Sequence, residues 1–330
     1  MRKRPLGKSP VSVSELCLGT WSLSGEARGQ PLDRERFDDV VGLALDQGIE
    51  TFDVSPLWAD GEAERALGRV LGERRPPSAQ VITRGGVRRE GAALLRTWEA
   101  DALIADCEAS LRRLGRETID VFLVQGLPDP AVDRDRPEGE PAAGEEGIEE
   151  AAALLTRDGK ARTWGLVVET EDDVDRALGL GVDAVCLAYN LVHPRVLEDL
   201  AERLATQDVG VLVRSPLGYG LLGGSWTVDT RFEEGDHRRE RWPDPAAFEA
   251  RLAQVDQLRF LVDEDARIES LAEAALRYVL RRPEVSGALI GPSTREQLVD
   301  LCRASVPEGE DHLPEAAATR VSQVLAALGL

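Results

Sequence analysis

The sequence predicts an α/β fold, a closed (β/α)8 barrel in which eight parallel strands alternate with helices. Three observations lead there. Eight short, mainly apolar runs read as strands, and amphipathic helical stretches separate them. Strands that must be covered on both faces favour a closed parallel barrel over an open sheet. The length of 330 residues suits one such unit, so residues 1–330 are read as a single domain.

The elements follow in order. LCLG (16–19) is the first strand. Phe37, Val40, Val41, Ala44 and Leu45 recur at helical spacing, Gly48 stops that helix, and ETFDV (50–54) follows as the second strand. Further strands are expected at QVIT (80–83), IDVFLV (119–124), TWGLVV (163–168), AVCLA (184–188), VGVLV (209–213) and GALI (287–290). Helical periodicity runs through 104–114, 174–180, 196–204 and 268–280. Residues 129–147 and 225–243 are too long for simple connections. Being charged and Gly- or Pro-bearing, they read as surface loops or lids, and the acidic 129–147 segment is also a candidate partner-binding stretch.

Composition excludes several functions. Forty Lys and Arg against 60 Asp and Glu give a net charge of −20, which argues against nucleic acid or an anionic membrane as a partner. Cys17, Cys107, Cys186 and Cys302 are scattered without metal-ligand spacing, so neither a zinc site nor a disulfide framework is expected and a reducing cytoplasm is the default. The basic N-terminus lacks a following apolar region, and no apolar run is long enough to span a bilayer.

In a closed parallel barrel, chemistry gathers where the strands end. Asp53, Arg84, Gln125, Val167, Cys186 and Arg214 fall at those ends and are expected to share one rim. FDVSPLW (52–58) places an aspartate at a strand end and an aromatic five residues on, but Trp58 offers only an indole N–H and no general acid. Asp53 and Arg84 read as a buried ion pair. Gln125 is balanced between a structural amide and a ligand contact. Arg214 can hold a carboxylate or phosphate at the barrel mouth.

Seven motifs in register now carry a resemblance. LGKSPVSVSELCLGTWSLSG, ALDQGIETFDVSPLWADGEAERALGRVL, ASLRRLGRETIDVFLVQGLPD, DGKARTWGLVV, AYNL, SPLGYGLLGG and ALIGPSTREQL together make the chain resemble an aldo-keto reductase over nearly its whole length. The resemblance implies an N-terminal β-hairpin, an eight-stranded barrel, a nicotinamide cofactor and hydride transfer to an aldehyde or ketone. It also implies a catalytic aspartate, tyrosine, lysine and histidine. The aspartate falls on Asp53, while the other positions hold Trp58, Arg84 and Gln125.

The implied cofactor contacts divide into two halves. At the nicotinamide end the expected serine and asparagine are Val167 and Val168, the glutamine is Cys186, and the stacking aromatic is Arg214. At the other end, Ser215 and Leu217 match the turn that approaches the pyrophosphate. Gly291, Ser293 and Gln297 match the adenosine-phosphate loop, and Asp300 an adenine-side acid. The expectation is NADP(H) binding that is weak or absent.

The sequence therefore reads as a pseudoenzyme of this family, a ligand-binding or regulatory barrel taking a small molecule at its mouth. An active oxidoreductase with altered chemistry and a scaffold subunit with a protein partner are the alternatives.

Overall fold

Short runs of β-branched and aliphatic residues form the strands of a closed barrel. In this computed structural model, which describes residues 1–91, 93–128 and 144–330, the eight barrel strands are β1 (Leu16–Gly19), β2 (Thr51–Asp53), β3 (Gln80–Gly85), β4 (Ile119–Gln125), β5 (Ala161–Val167), β6 (Ala184–Ala188), β7 (Gly210–Arg214) and β8 (Val285–Ile290). They run around the barrel in chain order, each parallel to its neighbours, and β8 closes on β1 through Ala288 opposite Leu16, Leu289 opposite Cys17 and Ile290 opposite Leu18.

The helices on the outside start and stop where local chemistry says they should. In α1 (Arg34–Asp46) the Asp33 carboxylate caps the N-terminus by accepting from the Arg36 N–H. The others around the barrel wall are α2 (Glu62–Arg74), α3 (Ala100–Leu114), α4 (Glu145–Arg157), α5 (Glu171–Gly179) and α6 (Arg195–Thr206). Helix α5 opens with a reciprocal box in which Thr170 and Asp173 satisfy each other's backbone.

Two layers of core result. Inside the barrel lie Cys17, Ile82, Val121, Leu123, Val167, Cys186, Leu212 and Leu289, closed off by Leu6, Val11 and Val13. The last three belong to the N-terminal hairpin, Lys3–Pro5 paired antiparallel with Ser12–Ser14, and the turn between its strands. The second layer packs the helices on the outer faces of the strands.

The structure departs from the sequence expectation in three places. A second antiparallel hairpin, Val87–Glu90 with Ala93–Arg96, follows β3. The connection after β7 is larger than expected and structured: α7 (His237–Arg241), α8 (Pro245–Asp256) and α9 (Phe260–Asp263) precede α10 (Leu271–Leu280). Residues 225–243 form a largely exposed strap that carries α7 and is anchored by Trp226, Phe232 and Trp242. Helix α10 begins at Leu271, later than Ile268, because Ser270 caps it by accepting from the Glu273 N–H. The chain ends with α11 (Arg295–Cys302) and α12 (Glu315–Ala327). Of the acidic 129–147 segment, 129–143 lie outside the described residues, and Glu145–Gly147 form the first turn of α4. Among the described residues, no helix is long and apolar enough to cross a membrane.

Candidate functional site

Strand β2 ends at Asp53 and strand β3 carries Arg84 near its own end, so the two meet at the C-terminal rim. One guanidinium nitrogen, Arg84 Nη2, donates to both carboxylate oxygens of Asp53, at 2.8 and 3.0 Å. The pair is deep, with the Asp53 side chain 4% and the Arg84 side chain 13% exposed. Burial pushes the Asp53 pKa up, and the charge and hydrogen bond of Arg84 reverse only part of that. Burial works against the Arg84 cation, but the charges of Asp53 and Cys186 and the Asp53 hydrogen bond together more than compensate and the guanidinium is held charged.

Trp58 covers this pair. Its ring centroid lies 5.5 Å from Arg84 Cζ, the geometry of a cation–π contact. Trp58 begins a tight 3-10 turn in which Ala59 and Asp60 both sit in the left-handed region at φ 52°. Two consecutive non-glycine residues there cost roughly 1 kcal/mol or more each, so the surrounding packing must fix the turn. An ion pair under an indole contains no group that gives up a proton near neutrality.

Gln125 ends β4 on the same rim but does not join the pair. Its carbonyl accepts from Arg96 Nη1 at 2.9 Å, which ties the second hairpin to the barrel, while among the described residues its side-chain amide makes no hydrogen bond. Val167, Val168 and Cys186 are buried and bring no strong hydrogen-bonding side chain. Burial raises the Cys186 thiol to about 11, so it remains a neutral filler.

Arg214 ends β7 and pairs through Nη2 with Glu169, which follows β5. Arg214 Nη1 lies 3.5 Å from the Tyr219 hydroxyl, a long contact. Ser215 next door takes a positive φ of 52°, and its carbonyl accepts from Asn190 Nδ2 and the Gly218 N–H, both at 2.9 Å. Leu217 continues that turn.

The strap then crosses from β7 toward β1. The His237 ring lies 4.6 Å from Trp21 and 5.8 Å from Tyr219, and Arg241 Cζ sits 3.4 Å from the Tyr219 ring centroid. Burial lowers the His237 pKa; Asp236 opposes this, while Arg238 and Arg241 add to it. Gly235 packs so close to Gly29 that a Cβ on Gly29 would stand 3.0 Å from its backbone. Glu169, Tyr219 and His237 were not singled out from sequence as mouth residues. The available signals are His237 in the HRRER run and Tyr219 in the SPLGYG turn, one of three histidines and one of three tyrosines, neither an obvious replacement for the missing acid.

The loop after β8 presents Gly291 and Ser293 at the start of α11. Thr294 caps that helix, accepting from the Gln297 N–H at 3.3 Å, and Gln297 Oε1 accepts from the Ser293 N–H at 2.8 Å. Arg295 pairs with Asp39 of α1, and Asp300 is exposed on α11. The residues fit a dinucleotide unevenly. An exposed helix start bearing Ser293 and Gln297 suits a phosphate once Gln297 releases the Ser293 N–H. The apolar Val167, Val168 and Cys186 do not suit a nicotinamide carboxamide. Among the described residues no cluster of His, Cys, Asp and Glu could hold a metal ion.

Comparison with known proteins agrees with the barrel fold. The chain is 27% identical over 346 residues to the NADH-specific methylglyoxal reductase of Escherichia coli, covering 99% of both chains. It is 26% identical over 305 residues to the aldo-keto reductase YhdN of Bacillus subtilis, covering 90% of this chain and 87% of that one. The solved glycerol dehydrogenase of Gluconobacter oxydans superposes with a TM-score of 0.81 at 26% identity, covering 98% of this chain and 95% of the other. The profile described as the aldo/keto reductase family matches residues 15–311, the segment from the first strand through α11. By that match, and by the barrel that supports it, the chain belongs to the aldo/keto reductase family, whose members include nicotinamide-dependent oxidoreductases.

Proposed function

We propose that this member of the family is a ligand-binding or regulatory barrel in which NAD(P)H-dependent carbonyl reduction is lost or very weak. The observation that carries the reading is the closed Asp53–Arg84 pair beneath Trp58. Where a family member would place a proton donor and the cation that tunes it, this chain has a self-neutralising pair and an indole. Gln125 supplies no titratable proton, and the apolar Val167, Val168 and Cys186 leave a nicotinamide without directional contacts. Losing several hydrogen bonds at roughly 1 kcal/mol each weakens cofactor binding by orders of magnitude.

The test is consumption of NADH and of NADPH over a panel of aldehydes and ketones. The natural protein is expected to run near background, and the Trp58→Tyr, Arg84→Lys, Gln125→His triple variant to recover little, since the cofactor pocket is unchanged. Robust turnover by the natural protein overturns the reading. Strong rescue in the triple variant shows that only the acid was lost.

One observation favours the alternative of altered oxidoreductase chemistry: two titratable rings, His237 and Tyr219, meet at the mouth within 5.8 Å of each other. If either supplies the proton, turnover in the same assay falls on His237→Gln or Tyr219→Phe.

A further inference from the structure

Two guanidinium groups stand on the rim, and they differ in how firmly each is neutralised. Arg84 is locked to a carboxylate only 4% exposed and gives both oxygens of Asp53 a hydrogen bond from the same nitrogen. Arg214 is itself only 18% exposed, yet its partner Glu169 is 65% exposed. Partners of that kind contribute little and leave easily. The Glu169 backbone is anchored independently, its N–H donating to Asp173 Oδ2 at 3.0 Å, so its side chain can swing away without disturbing α5.

Arg214 also has unused capacity. Its Nε is buried without an acceptor, and its Nη1 has only the long contact to Tyr219. A guanidinium edge matches the two oxygens of a planar carboxylate, and the edge that Glu169 and Tyr219 contact here is Nη2 with Nη1. Beside it stand the partly exposed rings of Tyr219, whose hydroxyl Nη1 approaches, and of His237 and Trp21, which pack in series with it, while Cys186 and Val167 are fully buried within the barrel. Those rings suit the apolar body of a small molecule.

We propose that Arg214 is the recognition residue for a small organic carboxylate at the barrel mouth, with Glu169 as a built-in counter-ion that the ligand displaces. The inference deepens the ligand-binding reading above and rests on it. It names the ligand class by its charge and planarity, and it assigns Glu169 a competitive role.

Benzoate is the probe, with benzamide as its uncharged counterpart and inorganic phosphate as the non-planar oxyanion. Binding is followed by calorimetry on the full chain. Benzoate should bind the natural protein and bind Glu169→Gln about tenfold more tightly, because the internal competitor has lost its charge. Arg214→Gln should lose benzoate binding, and benzamide should bind weakly throughout. Because Glu169 is exposed, the Glu169→Gln arm stands even where Arg214→Gln folds poorly. Benzoate binding unchanged by Glu169→Gln overturns the proposal, as does equal tightening of benzamide, phosphate binding tighter than benzoate, or no benzoate binding at all. Carbonyl turnover, measured separately, decides the pseudoenzyme reading, so the two can fail independently.

Discussion

Replacing Arg84 by methionine should turn a buried ion pair into a buried lone carboxylate, and the cost should depend on pH in a defined way. Asp53 is nearly inaccessible, and burial already holds its pKa above the ordinary 3.8 with the cation present. Without Arg84 that upward push is unopposed. The folded state then resists ionisation while the unfolded chain ionises freely above 3.8. Stability is therefore intact below that pH and falls as pH rises, by at most about 1.36 kcal/mol per unit until the folded carboxyl itself titrates. At pH 7, about 3.2 units above 3.8, the ceiling is about 4.4 kcal/mol, and at pH 5 it is about 1.6 kcal/mol. Breaking a buried pair from one side typically costs about 3–5 kcal/mol, so the pH 7 loss should lie near 3–4 kcal/mol. Urea unfolding of Arg84→Met against the natural protein at pH 5 and pH 7 measures it. The Asp53→Asn, Arg84→Met double variant should regain most of the loss at pH 7. A loss equal at the two pH values, or none at pH 7, would show that the pair is not the buried, mutually dependent unit described here.

Three further outcomes are expected. On α2, Gly68→Ala should destabilise although alanine is the better helix former, because its Cβ would stand 2.4 Å from the Leu114 carbonyl oxygen; Gly72→Ala, with nothing within 4 Å, should stabilise by about 0.5–1 kcal/mol, and paired thermal melts check the opposite signs. The thiols of Cys107, Cys186 and Cys302, raised by burial to about 12, 11 and 11, should resist iodoacetamide at pH 7.5 until the protein unfolds, as peptide mapping by mass spectrometry can establish. Glu15 is fully buried and, although burial opposes its charge, hydrogen bonds from His312 and Ser305 and the charges of His312 and Arg4 hold its pKa below the ordinary 4.5. Its stabilising contribution is present above 4.5 and is lost as pH falls through its folded pKa, so Glu15→Gln should flatten the acid limb of stability measured by urea unfolding below pH 4.5.

How much of this was legible depends on which interactions are local. The strands LCLG and AVCLA were read with their observed bounds, because apolar runs bracketed by glycine or polar residues fix a buried strand without help from elsewhere. The Val87–Arg96 hairpin was not read. Its strands carry arginines, and Leu94 and Leu95 are exposed, so no pattern of burial marks it. Helix α8 has a readable start in Asp244 before Pro245, just beyond the 225–243 loop, yet it is not among the expected helices. Within the site, Asp53, Arg84 and Arg214 could be placed on one rim because strand ends converge in a closed barrel. The Asp53–Arg84 pair was expected and is present. Glu169 as the partner of Arg214, and His237 against Trp21, depend on which segments the tertiary fold brings together, and sequence spacing carries no information about that.

The seam where β8 meets β1 joins the two ends of the chain, and it is fastened at both rims. Above, Ser22 Oγ donates to the Pro292 carbonyl across a sequence separation of 270 residues, while His237 packs on Trp21. Below, Glu15 takes hydrogen bonds from Ser305 and His312, 290 and 297 residues away. Contacts so distant along the chain reward folding only after nearly all of it is already arranged, so they should be absent from the rate-limiting ensemble and act on escape from the native state. Loosening the seam, for instance by Ser22→Ala, should shorten the lifetime of the folded barrel and leave its rate of formation almost untouched. The protein's persistence in time is then set at a narrow join between its first and last strands, far in sequence from most of its core.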